Sequence, residues 1–353
     1  MKVKRDFRRI LLIRRKALGD ALVTLPAVKA VAAAWPDAHI DLVIDRPFAK
    51  LVAQLLPEVS VVSWPLPSGQ SWIRRLRQGR YDLVVDWLGN PRTAMWTALT
   101  GAPVRVGYDL PRRRWAYNIK VPRNENQGND VRAYAGEAFF DPLRQLGLEP
   151  LPWTDGVAAI QDRQELALDD LRLELSNWMK RWLDREGVPV VVMMSATWTA
   201  KKWPAEKIQK LLSLLPETGA NPILVTGPGD EWLLKSLGLK PGDENVAPPT
   251  NLAELAVLMS HGHMFVGTDC GPRHLAAALG LATVTIFGPT DPGGWNPATP
   301  RHVSVRHDVP CAPCNLTVCP VAGHPCLDDL ESEQVRDAVA RLFKRMQQSG
   351  VSK

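Results

Sequence analysis

The chain is 353 residues long, 45% hydrophobic and 23% charged, which is enough for more than one core and too apolar for a disordered chain. Its net charge of +6 is unevenly shared: residues 1–155 carry 24 basic and 15 acidic side chains, a net of +9, whereas residues 156–353 carry 19 and 22, a net of −3. The first half therefore suits an anionic partner, whether nucleic acid, membrane or acidic substrate, and no apolar run approaches the ~20 residues of a membrane-spanning helix.

In chain order, the first element is Arg9–Arg14, an apolar run flanked by charge. Its four apolar residues, Ile10–Ile13, are closed by Arg14, Arg15 and Lys16. They are too few for a secretory signal core of ~7–15 residues, so a cytoplasmic protein is expected. A glycine-containing loop follows, and then Ala21–Trp35 at helical spacing, a strand–loop–helix unit. Apolar runs at Ile40–Ile44, Val59–Val62 and Leu83–Val85 alternate with helical stretches near Pro47–Leu56 and Trp72–Arg77. That alternation predicts a parallel sheet with crossover helices.

Residues 124–130 form a polar loop, and the charged, amphipathic stretch Gln161–Glu186 predicts a helix connecting two halves. A second α/β series runs through Val188–Met193, Pro222–Thr226, Met264–Val266 and Thr283–Phe287. The expected organisation is a first α/β domain over 1–160, a connecting helix over 161–186, a second α/β domain over 187–330, and a C-terminal helix over 331–353 packing back on the first domain. Two such domains facing each other would bind ligands at the carboxyl ends of their strands. There is no short-period repeat and no low-complexity tract.

The strand-end loops carry the candidate chemistry. After the first strand comes Lys16-Ala-Leu-Gly19-Asp20, where Asp20 at a helix start is either a cap or a general base toward an acceptor hydroxyl. In the second half, Ser195-Ala-Thr197-Trp-Thr199-Ala-Lys201-Lys202 follows a strand. Its hydroxyls and lysines suit phosphate oxygens, the alternative being a solvated basic loop. Gly227-Pro-Gly229-Asp230-Glu231 begins like a dinucleotide fingerprint but has Trp232 in place of the third glycine, which argues against a nicotinamide dehydrogenase. Asp230 or Glu231 could hold ribose hydroxyls or simply favour a helix N-terminus.

In Thr268-Asp269-Cys270-Gly271-Pro272-Arg273-His274 a strand ends at a Gly-Pro turn and an Ala-rich helix opens. Such a helix start can bind a diphosphate without metal. His274, one turn inside, is a core histidine, a cap or a catalytic group. Thr290 and Asp291, after the next strand, are placed to meet a sugar. Finally Cys311, Cys314, Cys319 and Cys326, spaced C-x2-C-x4-C-x6-C beside His324, are unlike the distributed disulfide framework of a secreted domain. They could form a structural zinc or iron site, stay as reduced thiols, or form a labile disulfide.

Several of these segments, in order, resemble one family. Gly19-Asp20-x5-Pro26, Asp82-Leu-Val-Val-Asp86, Leu99-Thr-Gly-Ala-Pro-Val-Arg-Val-Gly107, Lys201-Lys-Trp-Pro204, Thr268–His274 and Phe287-Gly-Pro-Thr-Asp291 together are similar to the ADP-heptose:lipopolysaccharide heptosyltransferases, glycosyltransferase family 9. The resemblance spans about Arg9 to Leu330. It implies a GT-B architecture, two Rossmann-like α/β domains facing a central cleft, and inverting transfer from ADP-heptose with no cofactor required.

By position it implies Asp20 as general base, Lys201 and Thr197 on the donor phosphates, and Asp230 or Glu231 on the adenosine ribose. Asp269 would meet the donor sugar, and Gly271, Pro272, Arg273 and His274 would cradle the diphosphate, with Thr290 nearby. Cys270 and Arg273 stand where many members have small or apolar residues. The implied acceptor is an anionic, lipid-linked core saccharide at the cytoplasmic face of the inner membrane. Between Arg74 and Arg123 there are 11 basic residues against three acidic ones, and Arg105, Arg112, Arg113, Arg114 and Lys120 are the candidate acceptor contacts. The amphipathic run Ser71–Arg77 is a candidate membrane-surface element. The alternatives are a protein acceptor, a nucleotide-sugar epimerase, or a non-catalytic nucleotide-sugar-binding protein. A nucleic-acid partner is not expected, since no reading motif accompanies the basic residues.

Overall fold

The computed structural model describes residues 6–123, 134–149 and 171–348. The chain divides into two compact units, Met1–Ala159 and Ile160–Lys353. The polar stretch 124–130 and residues 161–170 of the expected connecting helix lie outside the described residues.

The first unit is built on six parallel strands: β1 (Arg9–Ile13), β2 (His39–Asp45), β3 (Ser60–Trp64), β4 (Leu83–Asp86), β5 (Val104–Tyr108) and β6 (Ile119–Val121), in the spatial order β3-β2-β1-β4-β5-β6. Ile10–Ile13 of β1 are buried because the strand is central and helix-covered, which is why it reads as an unbroken apolar run. The chain winds from β1 outward to β3, then returns to the other side of β1 with β4. That reversal puts a topological switch point between β1 and β4, where the loops leaving their carboxyl ends diverge and open sheets accept ligands.

Asn90, after β4, starts the helix Pro91–Leu99 through a reciprocal cap: its Oδ1 accepts from Thr93 N at 2.9 Å, and its own N–H donates to Thr93 Oγ1 at 3.2 Å. Trp64, Trp72 and Trp96 close one side of the core, with ring centroids 4.5 to 5.1 Å apart. The helix Trp72–Gln78 turns Trp72 and Leu76 into that core and leaves Ile73, Arg74 and Arg77 exposed. The amphipathic run Ser71–Arg77, the candidate membrane-surface element, thus turns Trp72 and Leu76 into the protein interior and keeps Ile73 as its exposed apolar side chain.

The second unit carries five parallel strands: β7 (Val188–Met193), β8 (Ala220–Leu224), β9 (Met264–Thr268), β10 (Ala282–Ile286) and β11 (His302–Val305), in the order β11-β10-β9-β7-β8. Here the winding reverses between β7 and β9. These two strands approach so closely that a Cβ on Gly267 would lie 2.1 Å from the Met193 carbonyl oxygen, so the position admits only glycine.

Two helices outside the strand–helix alternation belong to the second unit. The one described within the connecting stretch, Leu173–Leu183, buries Leu175, Trp178, Met179 and Trp182 and locks onto β8 through Trp182 Nε1 donating to Asn221 O at 3.2 Å and Asn221 Nδ2 donating to Trp182 O at 2.9 Å. It is a structural layer of the second unit. The C-terminal helix Ser332–Gln348 places Val335, Ala338, Val339, Leu342 and Phe343 in the core that also contains Val190, Leu224 and Ile286. Its single apolar stripe is consumed there. Among the described residues no helix is long and apolar enough to cross a membrane.

Candidate functional site

In the second unit, the loops leaving β7 and β9 meet at the switch point. The turn Thr199–Lys201 brings Lys201 Nζ to 2.7 Å from Asp269 Oδ2 and 3.1 Å from the Asp269 carbonyl oxygen. Thr290 Oγ1, from the loop after β10, donates to the same Oδ2 at 2.8 Å, and Arg273 Nη2 lies 3.5 Å from Oδ1. Burial alone would raise the Asp269 pKa, but the charges of Lys201 and Arg273 outweigh it and hold the carboxyl below its ordinary value.

Beside this cluster the helix Gly271–Ala278 begins at Cys270, whose side chain does not cap it. A helix start without a side-chain cap offers donors and about half a positive charge to an anion. Burial pushes the Cys270 thiol up to about 11, so at neutral pH it is not a thiolate.

The structure separates the expected donor residues into three groups. Thr197, Lys201, Glu231, Gly271 and Pro272 are exposed or part-buried around the loops. Asp230 is buried, and its Oδ2 accepts from Gly227 N at 2.7 Å and from the Ser195 hydroxyl. It is an internal brace, so of the two acidic candidates only Glu231 keeps an exposed carboxylate. Asp269, Arg273, His274 and Thr290 lie behind the surface. Arg273 has no exposed side chain, and its Nη2 donates to the Trp295 carbonyl at 2.6 Å. His274 is held well below its ordinary pKa by burial and by Arg273, leaving a neutral ring 3.4 Å from Arg273 Nη2. Arg273 and His274 therefore support the loop from within through their side chains, because the helix turns both inward, and only their backbone remains for the cradle expected of this turn.

In the first unit, Asp20 occupies the third position of the helix Leu18–Val23, and Ala17 is the residue at its cap. Asp20 Oδ2 accepts from Ala17 N at 3.4 Å and pairs with Arg14 Nη2 at 2.7 Å. The side chain of Arg14 is nearly fully buried, with Nη1 donating to Trp87 O at 3.4 Å and the guanidinium 4.8 Å from the Phe139 ring centroid, while that of Asp20 is 30% exposed. One carboxylate is thus both a helix-start charge and a candidate base. Arg14 is a candidate positioning residue that composition concealed: two arginines directly after the buried run Ile10–Ile13 were its only signal.

At the neighbouring end of β4, Asp86 is buried and accepts from Tyr117 OH at 2.7 Å, Leu88 N at 2.9 Å and Gly89 N at 3.0 Å. Gly89, at φ +60°, makes the turn that aims Asn90.

The basic acceptor candidates are less available than their number implies. Arg105 is largely spent on the protein itself, with its Nε and Nη1 donating to the backbone carbonyls of Ala116 and Ala102 at 2.9 and 2.5 Å. Arg114 is paired through both arms with Asp109, at 2.8 Å each. Arg113 reaches Gly89 O at 3.3 Å. Arg112, at φ +63°, and Lys120 are exposed.

Cys311, Cys314, Cys319 and Cys326 line one small cavity with His324. Cys326 is buried in the second unit's core while Cys311 is exposed, and among the described residues no group of three or more His, Cys, Asp or Glu side chains is placed to hold a metal ion. A structural metal, one of the three alternatives left open by the spacing, has no support in this arrangement.

Residues 70–324 match the family model of glycosyltransferase family 9 (heptosyltransferase). The chain is 31% identical over 354 aligned positions to lipopolysaccharide heptosyltransferase 1 of Pseudomonas aeruginosa, covering 92% of each protein. A family 9 glycosyl transferase from Veillonella parvula has the same fold, with a TM-score of 0.69 at 19% identity and coverage of 98% of this chain and 99% of that one. So does the Escherichia coli ADP-heptose lipopolysaccharide heptosyltransferase II, at 0.68 and 19%, covering 96% and 99%.

Proposed function

The chain belongs to glycosyltransferase family 9, the heptosyltransferases, and from that membership we propose that it moves a heptose from ADP-heptose to an anionic inner-core saccharide of lipopolysaccharide, with inversion and with Asp20 as general base. The observation that carries the donor half is the meeting of Lys201 and Asp269 at the β7/β9 switch point, directly before a helix whose start has no side-chain cap. A cation and a dipolar helix start are what a departing diphosphate requires. The name of the E. coli neighbour supports ADP-heptose as the donor, and that of the P. aeruginosa relative supports a lipopolysaccharide acceptor.

In this reading the acceptor hydroxyl oxygen attacks the anomeric carbon of the heptose. Its proton passes to the Asp20 carboxylate, which Arg14 keeps in one orientation. The bond between the anomeric carbon and the β-phosphate oxygen breaks, and the extra negative charge on ADP is met by Lys201 and by the positive end of helix Gly271–Ala278, where Pro272 lacks an N–H and the Arg273 N–H is held by Cys270 O, leaving the Gly271 amide as the donor. Glu231 and Thr197 remain for the nucleoside and phosphate. On the acceptor side, Arg112 and Lys120 face the acidic groups of the core, and Ile73, Arg74 and Arg77 are the exposed residues with which this helix of the first unit would meet a lipid surface.

The test is to incubate the purified protein with ADP-heptose and a panel of truncated core acceptors and to weigh the products. Gain of one heptose by a core acceptor, with release of ADP, is expected. Conversion of the donor with no tagged acceptor would favour an epimerase or hydrolase, and a heptosylated polypeptide would move the acceptor class to protein; either result overturns the proposal.

A further inference from the structure

Lys201 has two claims on it. In this structure its ammonium is committed to Asp269, at 2.7 Å from Oδ2, although a donor diphosphate would require the same cation. Asp269 is only 6% exposed, and a buried carboxylate that loses its counter-ion tends to take up a proton instead. What faces Asp269 besides Lys201 is the Thr290 hydroxyl at 2.8 Å, the Arg273 guanidinium at 3.5 Å, the neutral His274 ring and the protonated Cys270 thiol. Of these only Arg273 carries a charge.

Resting on the reading that Lys201 serves the donor phosphates, we infer that Arg273 is the resident counter-ion of Asp269, keeping it a carboxylate while Lys201 turns to the diphosphate. Three observations fit Arg273 to this task. Its side chain is wholly buried, so it cannot follow Lys201 to the ligand. It is anchored by the Trp295 carbonyl at 2.6 Å, one turn inside a helix that also begins at the Asp269 loop. Its Nε and Nη1 are buried with no hydrogen-bond partner among the described residues, so the guanidinium holds donors in reserve. An arginine retains its proton in such a place where a lysine would not. Arg273 is therefore a positioning residue: it acts through Asp269 and lets one lysine alternate between two anions without a proton being taken up.

Calorimetry of ADP binding near pH 7, repeated in buffers of differing ionisation heat, reads this directly. The wild-type protein gives a baseline proton count. Arg273→Met is expected to take up more, by up to about one proton per ADP bound, because Asp269 now protonates as Lys201 leaves. Arg273→Lys should recover part of the baseline, and adding Asp269→Asn to Arg273→Met should remove the extra uptake. Equal proton counts for wild type and Arg273→Met overturn the inference, and failure of the wild type to bind ADP overturns instead the donor reading on which it rests.

Should Arg273→Met not fold, Lys201→Met tests the same point with Arg273 in place. Its stability relative to wild type should stay flat from pH 5 to 8, because Arg273 still holds Asp269 ionised. If Arg273 did not do so, the folded-state pKa of Asp269 would be raised, and stability would be lost as pH rises through it. A relative stability that falls with rising pH overturns the proposal.

Discussion

Arg14 and Asp20 form a 2.7 Å ion pair across the loop that leaves β1, and the buried member is the arginine. This inverts the usual surface salt bridge: a cation fixed among Trp87 O and Phe139 dictates where a more exposed carboxylate points. Orientation of this kind matters for a base, since proton transfer depends on hydrogen-bond reach before it depends on acidity.

Asp20→Asn should leave the fold and ADP affinity close to wild type and lower turnover by roughly 10²–10⁴-fold. Asn retains the helix-start contact to Ala17 but cannot accept a proton. Single-turnover transfer rates compared with ADP calorimetry provide the check, and an unchanged rate would remove Asp20 from the mechanism.

Arg14→Met should act on both levels. Removing a buried, hydrogen-bonded cation is expected to cost about 1–3 kcal/mol of stability. It should also lower kcat with donor KM unchanged, since Arg14 touches Asp20 and no donor residue. Denaturant unfolding and steady-state kinetics report the two effects separately.

Lys201→Ala should weaken ADP binding and raise donor KM by about 10–100-fold, the worth of one charge-assisted hydrogen bond of roughly 1.5–3 kcal/mol. Acceptor KM should not move. The measurement is donor titration at saturating acceptor, and an unaltered donor KM would place the phosphates elsewhere.

His302 supplies a pH signature. Burial, with Arg273 and Arg301 adding to it, pulls its pKa down to about 3. An unfolded chain binds this proton near pH 6.5 and the folded one does not, so the stability His302 contributes is full above about pH 6.5 and is lost as pH falls toward about 3, by at most about 1.4 kcal/mol per pH unit. Replacing it by Gln, which keeps a partner for the Thr283 hydroxyl 3.0 Å away, should flatten the fall in stability between pH 6 and 4 relative to wild type. Chemical denaturation across that range is the measurement.

Strands built from unbroken apolar residues were legible in the sequence, as at Ile10–Ile13 and Val188–Met193, because burial on both faces leaves no alternation to misread. β5 does not read as a strand: Arg105 and Gly107 interrupt its run, one because its guanidinium is spent on neighbouring carbonyls, the other because the Tyr117 ring lies where a Cβ would be. β6, with three residues, is too short to carry a pattern, and in β11 His302 and Ser304 break the apolar run.

The candidate loops were legible for a similar reason, since each follows a readable strand. Which loops meet was not, because spatial strand order is not written in periodicity. Lys201 and Asp269 are 68 positions apart and touch because β7 and β9 are neighbours. Charge counting likewise treats every arginine as available, whereas Arg14, Arg105 and Arg114 are already engaged with the protein itself.

The bracing around Ser195 has a bearing on how such a protein can diversify. Its hydroxyl donates to Asp230, and its carbonyl accepts from Thr268 Oγ1 at 2.7 Å, so one serine ties the loops after β7 and β8 to the end of β9. The joinery lies in Ser195, Asp230 and Thr268, and the exposed side chains Thr197 and Glu231 hang from it without holding it together. Those two positions can be exchanged while the frame that carries them stays intact.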